Sequence, residues 1–258
     1  DAGATGFENR IAAKLAEAMG REAEFVFTDK FAIYLVRDFL DARACDVVMG
    51  VDVGDERMLT TGSVYRTGYV YVSREDENFT GSSWRDIQGT PYGRFAIRFY
   101  TPAELMLKYA GKWEDNAAYL YGLINFQSRR NQYNQVAADR LVSEVASGEA
   151  DLATAFYQQR PAWKPDQLYR EADLAIAFAP DVARYVKASS VPLRMTMIED
   201  EMTRSDGKVV PLQYDQAIGV RKDDRTLLDE INAALPKVRG EINAILMEEG
   251  IPLLPPSS

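Results

Sequence analysis

"CDVVMGVDVGDERMLTT", residues 45–61, followed by "GYVYVS", residues 68–73, decides how this chain is read. Residues 47–53 form the continuous apolar run expected of a buried parallel strand. The run empties into an acidic loop in which Arg57 lies among Asp52, Asp55 and Glu56. Upstream, "GFENRIAAKLAEAMG" spaces Phe7, Ile11 and Leu15 by four and stops at Gly20, which predicts a helix with a glycine just past its end. "EAEFVF" then reads as a strand, and "FAIYLVRDFLDARA" as a helix carrying Ile33, Val36 and Leu40 on one face. The first seventy residues are thus a βαβ-like unit whose strand ends at the acidic loop.

Downstream, "SREDENFTGSSWRDIQGTPYG" is polar and rich in turn residues, the composition of a crossing between lobes. "RFAIRFY" follows as a strand. "TPAELMLKYAG" carries helix-start signals, with Thr101 at the cap, Pro102 first and Glu104 third. "NAAYLYGLINFQ" and "AADRLVSEVASG" read as further helices. "EADLATAF" at 149–156 returns as "EADLAIAF" at 171–178, two strand-like copies, too few for a solenoid. "SDGK" is the turn of a hairpin, and Pro236 interrupts the last helical run. The class is α/β in two lobes.

With 258 residues, 47% of them hydrophobic, the chain can bury the cores of two moderate domains. A net charge of −9 sets it against nucleic acid and anionic membrane surfaces. No eighteen-residue apolar span occurs, and "DAGATGFEN" lacks the regions of a signal peptide, as in a soluble or already processed chain. The absence of histidine removes Ser-His-Asp and Cys-His catalysis as well as His/Cys zinc sites. Cys45, alone in an apolar run, reads as a small buried hydrophobe. The acids of "IEDEMTRSDG" lack EF-hand spacing, so no metal site and no cofactor motif is found.

The order "GFENRIAAKLAEAMG", "CDVVMGVDVGDER", "YRTGYVYV", "TPAELM", "IGVRKDD" and a terminal helix resembles the amino-acid-binding class of periplasmic solute-binding proteins, solute-binding protein family 3. More narrowly, "CDVVMGVDVGDERMLTT", "FQSRRNQYNQ", "APDVARYVKASSVPLRMT" and "YDQAIGVRKDD" resemble the J proteins encoded beside periplasmic quinoprotein methanol dehydrogenases, the MxaJ and XoxJ type. The likeness covers nearly the whole chain. It departs in lacking the opening strand the family has before "GFEN", and in the linker between the two "EADL" segments, which looks inserted.

The resemblance implies a type II periplasmic binding protein fold: two α/β lobes joined by crossover strands, with the usual ligand site in the cleft between them. Residues 1–73 and 182–258 are expected in lobe 1, and residues 74–181 in lobe 2. In amino-acid-binding members an arginine after the fourth-strand region holds the substrate carboxylate bidentately, helped by preceding hydroxyl residues. Arg57 matches that arginine, and a guanidinium fork suits the task. Its helpers do not match. The usual threonine three places earlier is Gly54, and the frequent serine five places earlier is Asp52, which would repel the anion and pair with Arg57 instead. In the second lobe Thr101 remains of a glycine-threonine pair, but Tyr100 replaces the glycine. The acid that accepts the substrate ammonium falls on Phe156 or Phe178, according to which copy is equivalent, and a buried ammonium there would lack its acceptor.

Arg57 is therefore expected in a loop or interlobe ion pair, the alternative being a less charged, more aromatic ligand touched by Tyr65, Tyr100 and a phenylalanine. Three functions follow. The favoured one is a non-enzymatic periplasmic accessory protein that binds a PQQ-dependent methanol dehydrogenase, through its large subunit, and assists its maturation or activation. Any quinone, calcium or lanthanide belongs to that partner, and general likeness leans toward the lanthanide system. The second is a receptor for a small solute. A carboxylate enzyme ranks last, because no positioned pair of acids is visible.

Overall fold

A computed structural model describes residues 5–28, 32–123, 138–146, 172–255 and 257. The chain divides into two compact units, the first Asp1–Thr67 with Tyr214–Ser258, the second Gly68–Gln213.

In the first unit the helix Phe7–Ala18 buries Ile11 and Leu15 and packs on the helix Arg239–Glu249. The strand Val47–Asp52 runs antiparallel to Gln213–Val220, with Val47 opposite Val220 and Asp52 opposite Gln216. Its register shifts between Met49 and Val51, where Gly50 takes φ 65°. That left-handed backbone favours glycine at position 50, and the Glu8 carboxylate lies where a side chain there would project. Val36, Leu40 and Met58 form a buried cluster under this strand, joined by Val48 and Val51. The short strand Leu59–Thr60 pairs with the same Gln213–Val220. Pro236 falls in a 3-10 turn, Leu235–Val238, that breaks the last helical run as its ring requires.

Three sequence expectations change here. The apolar run at 47–53 is neither parallel nor fully buried: its strand is antiparallel and partly exposed along its length. "EAEFVF" is irregular, with Val26 and Phe27 each 49% exposed. A strand needs a neighbour to take its backbone hydrogen bonds, and among the described residues no strand pairs with this segment. The helix predicted over "FAIYLVRDFLDARA" is a short α-helix, Ala32–Leu35, running into a π turn, Val36–Leu40.

In the second unit the strand Leu174–Phe178 lies between two partners. It is parallel to Phe95–Ile97 and antiparallel to the strand Tyr65–Arg74, with Tyr69 opposite Phe178. The strand Leu193–Met197 pairs with the same Tyr65–Arg74. Val70, Tyr71, Val72, Leu107, Leu120, Leu141 and Ile176 are wholly or almost wholly buried around them. The second "EADL" copy is the strand Leu174–Phe178; the first lies outside the described residues. Gly207, at φ 80°, turns the hairpin between Met202–Thr203 and Val209–Val210.

Residues 182–213 and the polar stretch 74–93 both fall in the second unit. Strand pairing holds Leu193–Met197 in the second unit, and Ile198 N–H donates to Tyr69 O at 3.0 Å. The polar stretch is anchored in the same unit: Phe79, Trp84 and Ile87 are buried, and Asp200 accepts from Ser83 Oγ at 2.7 Å and Trp84 N–H at 2.9 Å.

Candidate functional site: two arginine sites

The first unit carries the Arg57 site in the turn between strands Val47–Asp52 and Leu59–Thr60. Gly54, at φ 79°, lets the chain reverse, and its N–H donates to Thr60 Oγ1 at 3.0 Å. The guanidinium grips Asp55, with Nε to Oδ1 at 3.0 Å and Nη2 to Oδ2 at 2.7 Å. The Arg57 backbone N–H donates to the same Oδ1 at 2.9 Å. This bonding holds the Asp55 carboxyl below its usual range, although its burial opposes the shift, and raises the guanidinium. The ion pair is as expected, but the hydrogen-bonded carboxylate is Asp55 and not Asp52. Asp52 sits opposite Gln216 in the strand register and accepts from its Nε2 at 2.7 Å, so its charge reaches Arg57 through space. Tyr65 is 8% exposed; its hydroxyl donates to Glu8 Oε1 at 3.3 Å and its ring meets Phe7 edge-on at 6.0 Å.

The second unit carries the other site, at the start of the helix Pro102–Tyr109. Thr101 occupies the cap position with an extended backbone, but its Oγ1 donates back to Arg98 O at 2.7 Å. Glu104 reaches back, as a third-position glutamate does, and takes the Tyr100 N–H at 2.6 Å, one residue before the cap. Tyr100 sits in the left-handed region at φ 60° and is 74% exposed. At the end of its strand, Arg98 Nη1 donates to Asp181 Oδ2 at 2.9 Å. Burial raises the Asp181 carboxyl and the Arg98 charge pulls it back. Tyr69 and Phe178, with ring centroids 5.7 Å apart, join Arg98, Thr101 and Asp181 around a recess of about 10 Å³, the lower limit for one water molecule.

The sequence candidates therefore separate. Thr101 and Phe178 meet at one recess, with Tyr100 beside them in the chain. Arg57, Asp52 and Tyr65 belong to the other unit, where Arg57 and Tyr65 are bonded to different partners. Phe156 lies outside the described residues. Asp55, Glu8, Gln216, Arg98 and Asp181 were not foreseen. Arg98 had a visible signal, a cation closing the strand "RFAIRFY" where α/β sheets present ligand groups. Asp181 had another, an acid in the first turn of a helix. Among the described residues no group of three or more acidic or cysteine side chains is placed to hold a metal ion, and no helix is long and apolar enough to cross a membrane.

This is the architecture of the periplasmic binding proteins. The structure matches that of MxaJ from Methlophaga aminisulfidivorans MPT with a TM-score of 0.82 and 43% identity, covering 98% of this chain and 94% of that one. XoxJ from Methylobacterium extorquens AM1 matches at 0.63 with 20% identity (98% and 92% covered), and an ancestral cationic amino acid solute binding protein at 0.60 with 19% (95% and 86% covered). At those identities the likeness is one of fold alone. No family model matches the chain. Protein MoxJ of Paracoccus denitrificans is 48% identical over 257 residues, 100% of this chain and 85% of that protein. Protein MoxJ of Methylorubrum extorquens is 47% identical over 254 residues, 98% and 77% of the two. The chain belongs to the MoxJ family of periplasmic binding proteins.

Proposed function

We propose that this chain is a non-enzymatic periplasmic accessory protein of methanol oxidation, which binds a PQQ-dependent methanol dehydrogenase through its large subunit and assists its maturation or activation. The observation that carries the reading is the engagement of both recognition sites by the chain's own carboxylates: Asp55 on Arg57, Asp181 on Arg98, and Glu104 on the Tyr100 N–H. Family membership supplies the physiological setting. Sequence relatedness runs at 43–48% to MxaJ and MoxJ proteins and at 20% to XoxJ, and the lean toward a lanthanide-dependent enzyme rests on the general likeness of the sequence alone.

The test is biolayer interferometry against purified PQQ methanol dehydrogenase, with and without its metal and quinone, alongside thermal-shift screening of amino acids and small amines. Saturable binding of the enzyme with no solute-induced shift is the expected outcome. The second reading, a solute receptor, draws on the recess that keeps an arginine beside the Tyr69 and Phe178 rings. A shift of several degrees with one solute and no enzyme binding would replace the first reading by the second.

A further inference from the structure

Among the described residues three other than glycine take a positive φ: Arg43, Asn78 and Tyr100. Arg43 Nη2 donates to Asp223 Oδ2 at 2.5 Å, and asparagine is a type that tolerates this region. A tyrosine at φ 60° is unusual, because its Cβ crowds the following carbonyl oxygen. Tyr100 is also 74% exposed, so burial of the ring does little to offset that strain. The conformation is held by a closed circuit within the second unit. Glu104 Oε2 takes the Tyr100 N–H at 2.6 Å, and its other oxygen accepts from Lys108 Nζ at 2.5 Å. The same ammonium lies 4.7 Å from the centre of the Trp113 ring, which meets Phe99 edge-on at 6.0 Å. Phe99 is 6% exposed and directly precedes Tyr100, so the circuit returns to the backbone where it began.

We infer that Tyr100 is a preformed anchor for a protein partner, a ring presented to an apolar pocket on the partner's surface. A bulky residue that its surroundings keep in a disfavoured conformation, with little burial in return, marks a functional contact. Tyrosine is among the side chains that carry most of the binding energy at protein interfaces, and a backbone already set lowers the cost of ordering it. The charges nearby are paired, Glu104 with Lys108 and Arg98 with Asp181, so the ring is the feature a partner has to match. A small solute does not fit the role. The recess in this unit holds about 10 Å³, and its walls are Tyr69, Arg98, Thr101, Asp181 and residues 176–178, without Tyr100. The inference rests on the proposed partnership with a methanol dehydrogenase and adds the side chain that makes the contact.

The test is biolayer interferometry against purified PQQ methanol dehydrogenase, with the Tm of each full-chain variant measured beside it. Tyr100→Gly and Tyr100→Asn suit the left-handed backbone and remove the ring, whereas Tyr100→Phe keeps it. The anchor predicts an affinity loss of about thirtyfold for the glycine and asparagine variants, with Tm equal to or above that of wild type. Tyr100→Phe should bind within about fivefold of wild type. A loss under about fivefold for Tyr100→Gly and Tyr100→Asn overturns the anchor and leaves the partnership standing. An equally large loss for Tyr100→Phe overturns the apolar pocket. A Tm lowered by several degrees in both ring-less variants overturns the anchor as well, because the ring then serves the fold. Failure of wild type to bind the enzyme sinks the partnership, and the anchor with it.

Discussion

Alanine at position 57 separates a structural arginine from one that holds a ligand. The Arg57 side chain is 49% exposed and that of Asp55 17%, so solvent reaches the pair from the guanidinium side. An exposed pair of this kind contributes about 0.2–1 kcal/mol, and the two-pronged geometry places Arg57→Ala toward the upper end. Asp55→Ala has a second effect, because Asp55 Oδ1 also accepts the Arg57 backbone N–H at 2.9 Å and so closes the turn. Losing that bond adds about 1 kcal/mol, giving roughly 1–2 kcal/mol for Asp55→Ala. The order Asp55→Ala worse than Arg57→Ala is therefore fixed by the geometry. The acid side carries its own sign: with its folded-state value depressed, the Asp55 carboxylate contributes stability above its unfolded-state value, and this is lost as pH falls through the folded one. Arg57→Ala should flatten that acid limb. Urea unfolding followed by far-UV circular dichroism, from neutral pH down to about pH 3, measures all three quantities. A loss above about 2 kcal/mol for Arg57→Ala, or a smaller loss for Asp55→Ala than for Arg57→Ala, would refute the assignment of Arg57 to this turn.

Other perturbations follow from the same contacts. A Cβ at Gly68 would lie 2.5 Å from Leu212 O and 3.1 Å from Met197 Sδ, so Gly68→Ala should cost about 2–4 kcal/mol in urea midpoint analysis, from crowding plus the strained Tyr69–Leu212 bond; a loss under about 0.5 kcal/mol would contradict that close approach. Burial, followed by the Asp52 charge, pushes the Tyr214 phenol up to about 12. The unfolded chain ionises near 10, so stability should fall as pH rises between those values, and Tyr214→Phe should remove that share of the alkaline loss in urea midpoints. Burial raises the Asp181 carboxyl, so the folded form retains its proton above the unfolded value, and stability from this group is lost as pH rises through that interval. Relative to Asp181→Asn, wild type should gain stability on acidification from neutral pH toward about pH 4; a relative loss over that range would reverse the assigned cause.

The fold class was legible because the signals that set it are local. Helix spacing at Phe7, Ile11 and Leu15, the Thr101-Pro102 start, the "SDGK" turn and Pro236 each act within a few residues, and each appears where the pattern places it. Strand direction was not legible, since the run at 47–53 reads the same beside a parallel or an antiparallel neighbour, and that neighbour, Gln213–Val220, is more than 160 residues away in register, Asp52 to Gln216. The partner of Arg57 was misjudged for a related reason. Composition offers Asp52, Asp55 and Glu56 equally, and only the turn at Gly54, with Gln216 occupying Asp52, singles out Asp55. Arg98 and Asp181 stand 83 positions apart in the chain and meet only through strand pairing.

Which of these features weighs most against an amino-acid receptor can be decided by magnitude. Displacing Asp55 from Arg57 costs a ligand at most about 1 kcal/mol, a factor of about five in affinity, so that pair alone does not close the site. The carboxylates around the two arginines have partners of their own. Glu104 accepts the Tyr100 N–H at the helix start and pairs with Lys108 Nζ at 2.5 Å, and Asp52 accepts from Gln216 beside the Arg57 turn. Both sites are therefore networks of paired charges, in which no carboxylate stands as a bare repelling group. Any partner surface that engages these arginines meets the same competition as a small solute, about 1 kcal/mol for each solvated pair displaced.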